Sequence, residues 1–310
     1  MRSSLDHLRS HSVVVADTAD LDAIHKFAPV DATTNPSLVL KQATLEKTQA
    51  LIDRTRAKLM SGELASVSEA ATSLAVHFGA EIARVIPGYV STEVDARLSF
   101  DTEASIAQAH AILAHYETLG VPSDRILIKL AATWEGIEAC RQLESEGIRC
   151  NLTLLFSEEQ AIAAAHASAT LISPFVGRIY DWYVARGETP ENASVDPGVL
   201  SVQRIHWLYR SHGIKTIVMG ASFRSAEQVL ALAGCDRLTI SPNILDDLQQ
   251  RDEPVHPMEQ PKKLGSTLPT IDRNQFLLAL AANPMANEKL ADGITRFIQD
   301  QETLEALIAR

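Results

Sequence analysis

The chain has 310 residues, of which 46% are hydrophobic and 22% are charged, with 14 glycines and 13 prolines. This composition is close to the globular average, so it excludes disordered, collagen-like and low-complexity classes. The 39 acidic side chains outnumber the 28 lysines and arginines, giving a net charge of -11 that no Lys/Arg-rich run offsets. We therefore expect no nucleic acid and no anionic membrane surface among the partners.

The apolar segments are too short for membrane insertion. The longest, residues 276–282, falls far below the ~18 to 20 residues that a membrane-spanning helix needs. Near the N-terminus the only apolar run, residues 13–16, is followed at once by Asp17, so no signal-peptide core is expected. The three cysteines have no C-x-x-C spacing, which argues against a disulfide framework or a zinc site. We predict a cytoplasmic protein whose thiols are reduced and packed as small apolar groups.

Short runs rich in Val, Ile, Leu and Thr alternate with longer segments of 3.6-residue apolar spacing, a pattern typical of alternating parallel strands and helices. Eight such runs occur, at residues 13–17, 32–35, 90–95, 126–130, 149–154, 171–175, 216–221 and 238–241. Each interval is long enough for a crossover helix; one is predicted at residues 103–120, and Ser157 is predicted to cap another. The pattern favours a closed (β/α)8 TIM barrel, with an open doubly wound sheet as the structural alternative.

A single barrel domain is predicted over residues 1–310. The rule of ~150 residues per domain suggests two domains, but single α/β barrels commonly have this length. Residues 250–271 contain four prolines among mixed charges and are predicted as a surface excursion within the domain. Residues 272–282 and 287–308 are predicted as additional C-terminal helices.

Catalytic groups of a barrel lie at the carboxyl ends of its strands, and reactive polar residues end these eight runs. They are Asp17, Thr33, Asn35, Glu93, Asp95, Lys129, Asn151, Thr153 and Ser173, with Ser222 and Arg224 just after the seventh run. Strand alternation predicts that Glu93 shares a face with Asp95, and Asn151 with Thr153. An isolated carboxylate is more often a helix cap or a solvated loop residue, so the prediction of a site depends on convergence.

Lys129 is the sharpest signal in the sequence. The string ILIKLAA at 126–132 places one cation in a run that otherwise resembles a fully buried strand. Two interpretations stay open: the lysine extends to solvent from the strand end, or it is a buried nucleophile that forms a Schiff base. The second is chemically plausible because only a neutral amine attacks a carbonyl, and burial favours the neutral form of an amine.

Two arginines predict an anion site. Arg178 follows a glycine after the sixth run, and Arg224 follows Ser222 after the seventh, close to where barrels commonly hold phosphate. The alternative for each arginine alone is an ordinary surface ion pair. His7 and His11 have the i,i+4 spacing of a metal pair, but no H-E-x-x-H motif is present, and we predict no metal site.

Taken in order, the segments around these residues resemble the transaldolase family. The matching strings are VVADT (14–18), DATTNPSLVL (31–40), STEVDARLSFDTEASI (91–106), RILIKLAATWEGI (125–137), CNLTLLFS (150–157), LISPFVGRIYDW (171–182), TIVMGASFRS (216–225) and CDRLTISP (235–242). Together they touch every predicted strand. The resemblance implies a class I aldol-type transferase of the pentose phosphate pathway, a barrel that uses no metal or other cofactor and is often a homodimer.

The resemblance also implies the substrates, which are sugar phosphates. A dihydroxyacetone unit would move from sedoheptulose 7-phosphate or fructose 6-phosphate to glyceraldehyde 3-phosphate or erythrose 4-phosphate. By similarity, Lys129 matches the Schiff-base lysine, Glu93 an acid/base carboxylate that works through a water held with Thr153, and Asp17 the carboxylate that handles the sugar hydroxyl proton. The remaining matches are Thr33, Asn35, Asn151 and Ser173 at the dihydroxyacetone site, and Arg178, Ser222 and Arg224 at the phosphate site.

Phe175 bears on the type of reaction. In the related fructose-6-phosphate aldolase branch, the chain is shorter and a tyrosine stands at this place, so Phe175 favours the transferase. Two alternatives stay open: an aldolase that releases free dihydroxyacetone, and a catalytically silent barrel that binds sugar phosphates. A metal-dependent aldolase is disfavoured because no His/carboxylate cluster has ligand spacing.

Overall fold

The structure, a computed structural model, describes residues 2–259 and 267–310. The strands are β1 (Val13–Asp17), β2 (Asp31–Thr33), β3 (Val90–Glu93), β4 (Ile126–Ala131), β5 (Cys150–Leu155), β6 (Leu171–Pro174), β7 (Ile217–Gly220) and β8 (Arg237–Ile240). The helices are α1 (Ser4–Leu8), α2 (Leu21–Phe27), α3 (Pro36–Ala43), α4 (Gln49–Met60), α5 (Val67–Val85), α6 (Thr102–Thr118), α7 (Trp134–Ser145), α8 (Glu158–His166), α9 (Gly177–Val184), α10 (Pro197–His212), α11 (Ala226–Leu230), α12 (Pro242–Gln250), α13 (Arg273–Ala282) and α14 (Pro284–Ile308). Short 3-10 helices cover Glu46–Thr48, Ala96–Leu98, Ser123–Arg125 and Ala193–Val195.

The eight strands are parallel and hydrogen-bonded in chain order, and β1 pairs with β8 as well as with β2. The sheet is therefore a closed barrel. The predicted (β/α)8 TIM barrel with additional C-terminal helices is confirmed, and the open doubly wound alternative is wrong.

Two predicted strands end earlier in the structure because their last polar residues cap helices. β2 ends at Thr33, since Asn35 is the N-cap of α3 and its side-chain oxygen accepts a hydrogen bond from the Leu38 amide at 2.9 Å. β3 ends at Glu93, and Asp95 caps the 3-10 helix Ala96–Leu98. The prediction that Asp95 shares a face with Glu93 is wrong, because strand alternation does not extend past the strand.

The barrel interior has an apolar layer and a polar layer. One buried cluster consists of Val15 of β1, Leu127 of β4, Leu171 of β6 and Met219 of β7. Because side chains alternate along a strand, the residue two positions later points to the same interior. These later residues are Asp17, Lys129, Ser173 and Ala221, and all four line one cavity. Strand alternation therefore places the residues that line the cavity next to a layer of apolar side chains in the barrel interior.

The surrounding helices pack against the outer faces of the strands. The predicted helix at 103–120 is α6, which is followed by Gly120 in the left-handed conformation with φ of 75°. Ser157 caps α8 as predicted, in a capping box with Gln160. Cys140, Cys150 and Cys235 are buried and free, in agreement with prediction.

The C-terminal helices place a long element across the mouth of the barrel. α13 begins one residue after the predicted start, and α14 begins at Pro284, because Asn283 caps it and proline suits the first helical position. α14 contacts β5, α9, the 3-10 helix Ala96–Leu98, α3 and α5. Within the described parts of the chain, no helix is both long and apolar enough to cross a bilayer.

The predicted excursion at 250–271 lies partly outside the described residues, which exclude 260–266. Its described flanks, 251–259 and 267–271, have no helix or strand. One domain over 1–310 stays a prediction.

Candidate active site

Lys129 lies inside the barrel and is paired with Glu93. Register pairing sets the two residues side by side on β4 and β3, and Lys129 Nζ is 2.9 Å from Glu93 Oε2. Their side chains are only 6% and 5% exposed, so the lysine does not extend to solvent. Nζ also donates a hydrogen bond to the Thr34 carbonyl at 3.2 Å. Burial raises the pKa of Glu93 above its ordinary value although the ammonium of Lys129 opposes the shift, which suits a carboxyl that exchanges protons.

Asp17 is the second carboxylate of the barrel interior and is partly buried. It ends β1, and Thr33 on β2 donates a hydrogen bond to its Oδ1 at 3.0 Å. The hydroxyl of Thr33 is also 2.7 Å from that of Thr239 on β8. Burial raises the pKa of Asp17, with Lys129 and Thr33 opposing the shift. A carboxyl with a raised pKa is suited to take and return a proton.

Polar side chains of β5 and β6 complete the interior. Ser173 Oγ donates to the side-chain oxygen of Asn151 at 2.6 Å, and the Asn151 amide donates to Ser91 at 3.1 Å. Asn151 thus holds Ser173 rather than lining the cavity itself. Thr153 lines the cavity, and its buried hydroxyl has no partner among the residues that the structure describes. A buried hydroxyl of this kind is available for a substrate or a water.

A β-bulge follows Thr153. The register of β5 against β6 shifts between Leu152 and Leu155, and Leu154 has a positive φ of 53°. Bulges next to active sites redirect side chains, and here the bulge turns Leu154 toward the cluster under α14.

Arg178 is the second basic residue that lines the cavity, after Lys129. It lies in the first turn of α9, lines the cavity, and is buried enough that its pKa is lowered from the ordinary value. The close approach of the β6 and β7 loops that positions it requires Gly177. A Cβ on that residue would lie 2.3 Å from the Ser222 carbonyl, which accepts a hydrogen bond from the Gly177 amide.

Arg224 lies outside the cavity. Its guanidinium forms an ion pair with Asp181 of α9 at 2.7 Å and is about 40% exposed. The ion pair of the alternative interpretation is therefore present, but Arg224 Nη1 also donates to Ser222 Oγ at 3.4 Å, and the role of Arg224 at the phosphate site stays a prediction. Ser222 does line the cavity, with a left-handed φ of 61°, a strained conformation of the kind that occurs at functional sites.

Nine predicted residues line one cavity, and three others lie beside it or outside it. The nine are Asp17, Thr33, Asn35, Lys129, Thr153, Ser173, Phe175, Arg178 and Ser222. Glu93 contacts Lys129, Asn151 holds Ser173, and Arg224 faces Asp181. Sequence reasoning missed Ala221, Thr239 and Phe297. The two-residue spacing on the strands could have found Ala221, but nothing in the sequence pointed to Phe297 of α14.

The site as a whole joins a buried lysine, two carboxyls of the barrel interior, several hydroxyls and one buried arginine. A profile of the Transaldolase/Fructose-6-phosphate aldolase family matches residues 14–308. The chain belongs to this family.

Individual relatives agree with the family assignment over their full lengths. A protein named transaldolase from Vibrio cholerae is 51% identical, with 100% of this chain and 99% of the relative covered. One from Pseudoalteromonas atlantica is 50% identical, and one named transaldolase A from Pasteurella multocida is 49% identical, with 99% of both chains covered in each case. The sequence resemblance is thereby confirmed: the chain is an enzyme of the transaldolase type, a transferase.

Proposed function

We propose that this enzyme transfers a dihydroxyacetone unit between sugar phosphates through a Schiff base on Lys129. The reversible reaction takes the unit from sedoheptulose 7-phosphate to glyceraldehyde 3-phosphate, giving erythrose 4-phosphate and fructose 6-phosphate in the non-oxidative pentose phosphate pathway. The observation that carries the proposal is the buried Lys129 Nζ, 2.9 Å from Glu93 in an interior that also holds Asp17.

The reaction begins at the lysine. The amine of Lys129 attacks the ketose carbonyl, and loss of water gives an iminium whose nitrogen withdraws electrons from the adjacent carbons. Glu93, which contacts Nζ, carries the protons of this step, and the hydroxyl of Thr153 holds the water that is lost.

Carbon–carbon cleavage follows from the iminium. Asp17 takes the proton of the hydroxyl next to the bond that breaks, so the distal part leaves as an aldehyde and an enamine stays on Lys129. Ser173 and the amide of Asn35 line the same cavity and are available to hold the enamine hydroxyls. Attack of the enamine on a second aldehyde and the reverse proton transfers complete the cycle. Arg178, Ser222 and Arg224 bind the phosphate of donor and acceptor, which is supported by the first two lining the cavity and by the contact of Arg224 with Ser222.

Phe175 supports transfer rather than release of free dihydroxyacetone. Its ring lines the cavity and packs edge-on against Phe156 at 5.5 Å, so this wall offers no hydroxyl to a water. An enamine kept from water persists until an aldehyde arrives.

The proposal is tested with fructose 6-phosphate and erythrose 4-phosphate, by coupling the release of glyceraldehyde 3-phosphate to its oxidation. We expect release that depends on erythrose 4-phosphate. Equal release without any acceptor, together with free dihydroxyacetone, would identify an aldolase instead. Ligand-induced thermal shifts without turnover would identify a catalytically silent sugar-phosphate-binding barrel.

We also propose a single-domain cytoplasmic homodimer. Buried reduced thiols fit a reducing compartment, and the family resemblance implies the dimer. Cell fractionation tests the compartment, and sedimentation equilibrium tests the dimer; a monomer at micromolar concentration would contradict it.

A further inference from the structure

Arg178 has an unusual environment for a buried cation. Among the residues that the structure describes, it forms no ion pair, and its buried Nη1 has no hydrogen-bond partner. The nearest charges largely oppose one another: Arg224 and Arg296 disfavour its cationic form, whereas Asp292 and Glu93 favour it. A guanidinium without an ion pair needs another favourable interaction to offset the cost of its burial at the cavity wall.

Two aromatic rings supply that means. The guanidinium carbon of Arg178 is 5.1 Å from the ring centre of Phe175 and 5.3 Å from that of Phe297. Both distances lie within the ~6 Å range in which a cation is attracted to a ring, and desolvation strengthens this attraction. A guanidinium held by rings keeps its N–H donors available for an anion, whereas a carboxylate partner would occupy them.

Phe297 reaches this position because α14 is fixed across the mouth of the barrel. At the start of the helix, Glu288 accepts a hydrogen bond from the Trp182 indole at 2.8 Å and pairs with Arg186 at 3.0 Å. At its end, Glu305 forms an ion pair with Arg97, and Arg56 donates hydrogen bonds to two C-terminal carbonyls of the helix. The ring of Phe297 is therefore held from both ends of its helix.

Gly293, one turn before Phe297, allows the helix to come this close. A Cβ on Gly293 would lie 2.6 Å from Leu154 Cδ2 and 3.0 Å from Arg178 Nη1. Any larger residue would push against the arginine itself.

We propose that Phe297 is a specificity-determining positioning residue that, with Phe175, holds the Arg178 guanidinium free for the phosphate of the acceptor. The inference rests on the transfer reaction proposed above. It assigns to the C-terminal helix the preference for phosphorylated over unphosphorylated aldehydes.

The test compares two acceptors that differ only in the phosphate, glyceraldehyde 3-phosphate and D-glyceraldehyde, with sedoheptulose 7-phosphate as donor, so that the products are fructose 6-phosphate and fructose. In a double-displacement reaction, the acceptor kcat/KM depends only on the covalent enamine and the acceptor, so donor binding does not enter. The ring centre of Phe297 also lies 5.9 Å from Lys129 Nζ, and this contact affects both acceptors alike. We therefore expect Phe297→Leu to lower the ratio of kcat/KM for the phosphorylated acceptor to that for D-glyceraldehyde about tenfold. Phe276→Leu is the matched control, because Phe276 is as buried but packs on Trp134 of α7.

Gly293→Ala provides a second variant that leaves both rings in place. We expect it to lower the ratio of the two kcat/KM values in the same direction, several-fold, since its methyl group displaces Arg178. A ratio of the two kcat/KM values that stays unchanged in either folded variant would overturn the inference. Failure of the wild-type enzyme to transfer to either acceptor would instead overturn the proposed function.

Discussion

Desolvation of Asp17 lowers the stability of the folded protein at neutral pH. The same desolvation raises the pKa of a carboxyl that is proposed to exchange protons. The raised pKa means that the folded protein binds protons more tightly at this carboxyl than the unfolded chain does. The stabilisation is therefore fully present below the unfolded pKa of ~3.9 and is lost as the pH rises through the folded value. At neutral pH the ionised carboxylate is a net cost to the fold.

Replacing Asp17 by asparagine should therefore stabilise the protein while it abolishes turnover. The asparagine oxygen can still accept the hydrogen bond from Thr33, but no charge is buried. We expect the free energy of unfolding at pH 7 to rise by about 1 kcal/mol, and kcat to fall by ~10²- to 10⁴-fold.

Thermal unfolding of wild type and Asp17→Asn between pH 4 and pH 7 measures this effect. The gain should shrink toward pH 4, because the folded carboxyl takes up its proton as the pH falls toward the unfolded pKa of ~3.9. Asp124→Asn, at an exposed position, serves as the control and should change stability little. A gain that is the same at every pH would contradict the electrostatic cause.

Single residues were predictable where a strand dictated them. Strand alternation alone predicts that a residue two positions after an interior apolar residue also faces the interior, and this holds for Asp17, Lys129 and Ser173. The partner of Arg224 was not predictable, because Asp181 lies on another element that only the folded loops bring near. Phe297 looks like any core residue of an amphipathic helix, and its place beside Lys129 depends on where the helix lies.

Among the elements, the ends of β4 and β5 depend on one buried amide. The Gln160 side chain, fully buried in α8, donates hydrogen bonds to the carbonyls of Ala132 at 2.8 Å and Leu154 at 3.1 Å. Its oxygen accepts hydrogen bonds from the amides of Phe156 and Ser157 at 2.8 and 3.1 Å. Through these four hydrogen bonds, α8 is connected to the chain segments that follow β4 and β5 at the site.

Gln160→Glu keeps the shape of this side chain but removes its donors. A carboxylate would face two carbonyl oxygens in a buried place, so we expect a loss of about 2–4 kcal/mol in the free energy of unfolding at pH 7. Denaturant titration measures it, with the exposed Gln299→Glu as the control, for which ~0.5 kcal/mol or less is expected. If Gln160→Glu were as stable as Gln299→Glu, the donors of the Gln160 amide would not be needed for the stability of the fold.

The sequence pattern predicted the element types better than their ends. Apolar runs and caps located α6 and α8 well, because their signals are local. The bulge in β5 was not predictable, since Leu154 carries no local preference for a positive φ and adopts it under packing against α14. Asp95 was misplaced for the same reason, as Arg97 and the following turn outweigh strand alternation.

For the whole molecule, net charge and local charge act separately. A charge of -11 is spread over the surface, while the interior holds Lys129 and Arg178 beside two carboxyls whose ionisation burial disfavours. Anionic substrates of small size are thus compatible with an acidic protein.

We expect catalysis to need no metal. Within the described ranges, the one group of side chains close enough to hold an ion is Cys140, Glu144 and Cys150, and it lies between α7 and β5 rather than in the cavity. Glu144 Oε1 already accepts hydrogen bonds from the backbone amides of Cys150 and Thr170, and Oε2 accepts one from the Thr170 hydroxyl. The transfer rate should be unchanged after prolonged incubation with a chelator. Loss of activity that added Zn²⁺ restores would contradict this expectation.

Borohydride trapping with fructose 6-phosphate tests whether Lys129 forms the covalent intermediate. Reduction should fix one dihydroxyacetone-derived group to the enzyme, and mass spectrometry of its peptides should locate that group on Lys129. A Lys129→Ala protein, shown to be folded, should acquire none. A stable adduct on that variant, or an active wild-type enzyme that is never labelled, would contradict the account.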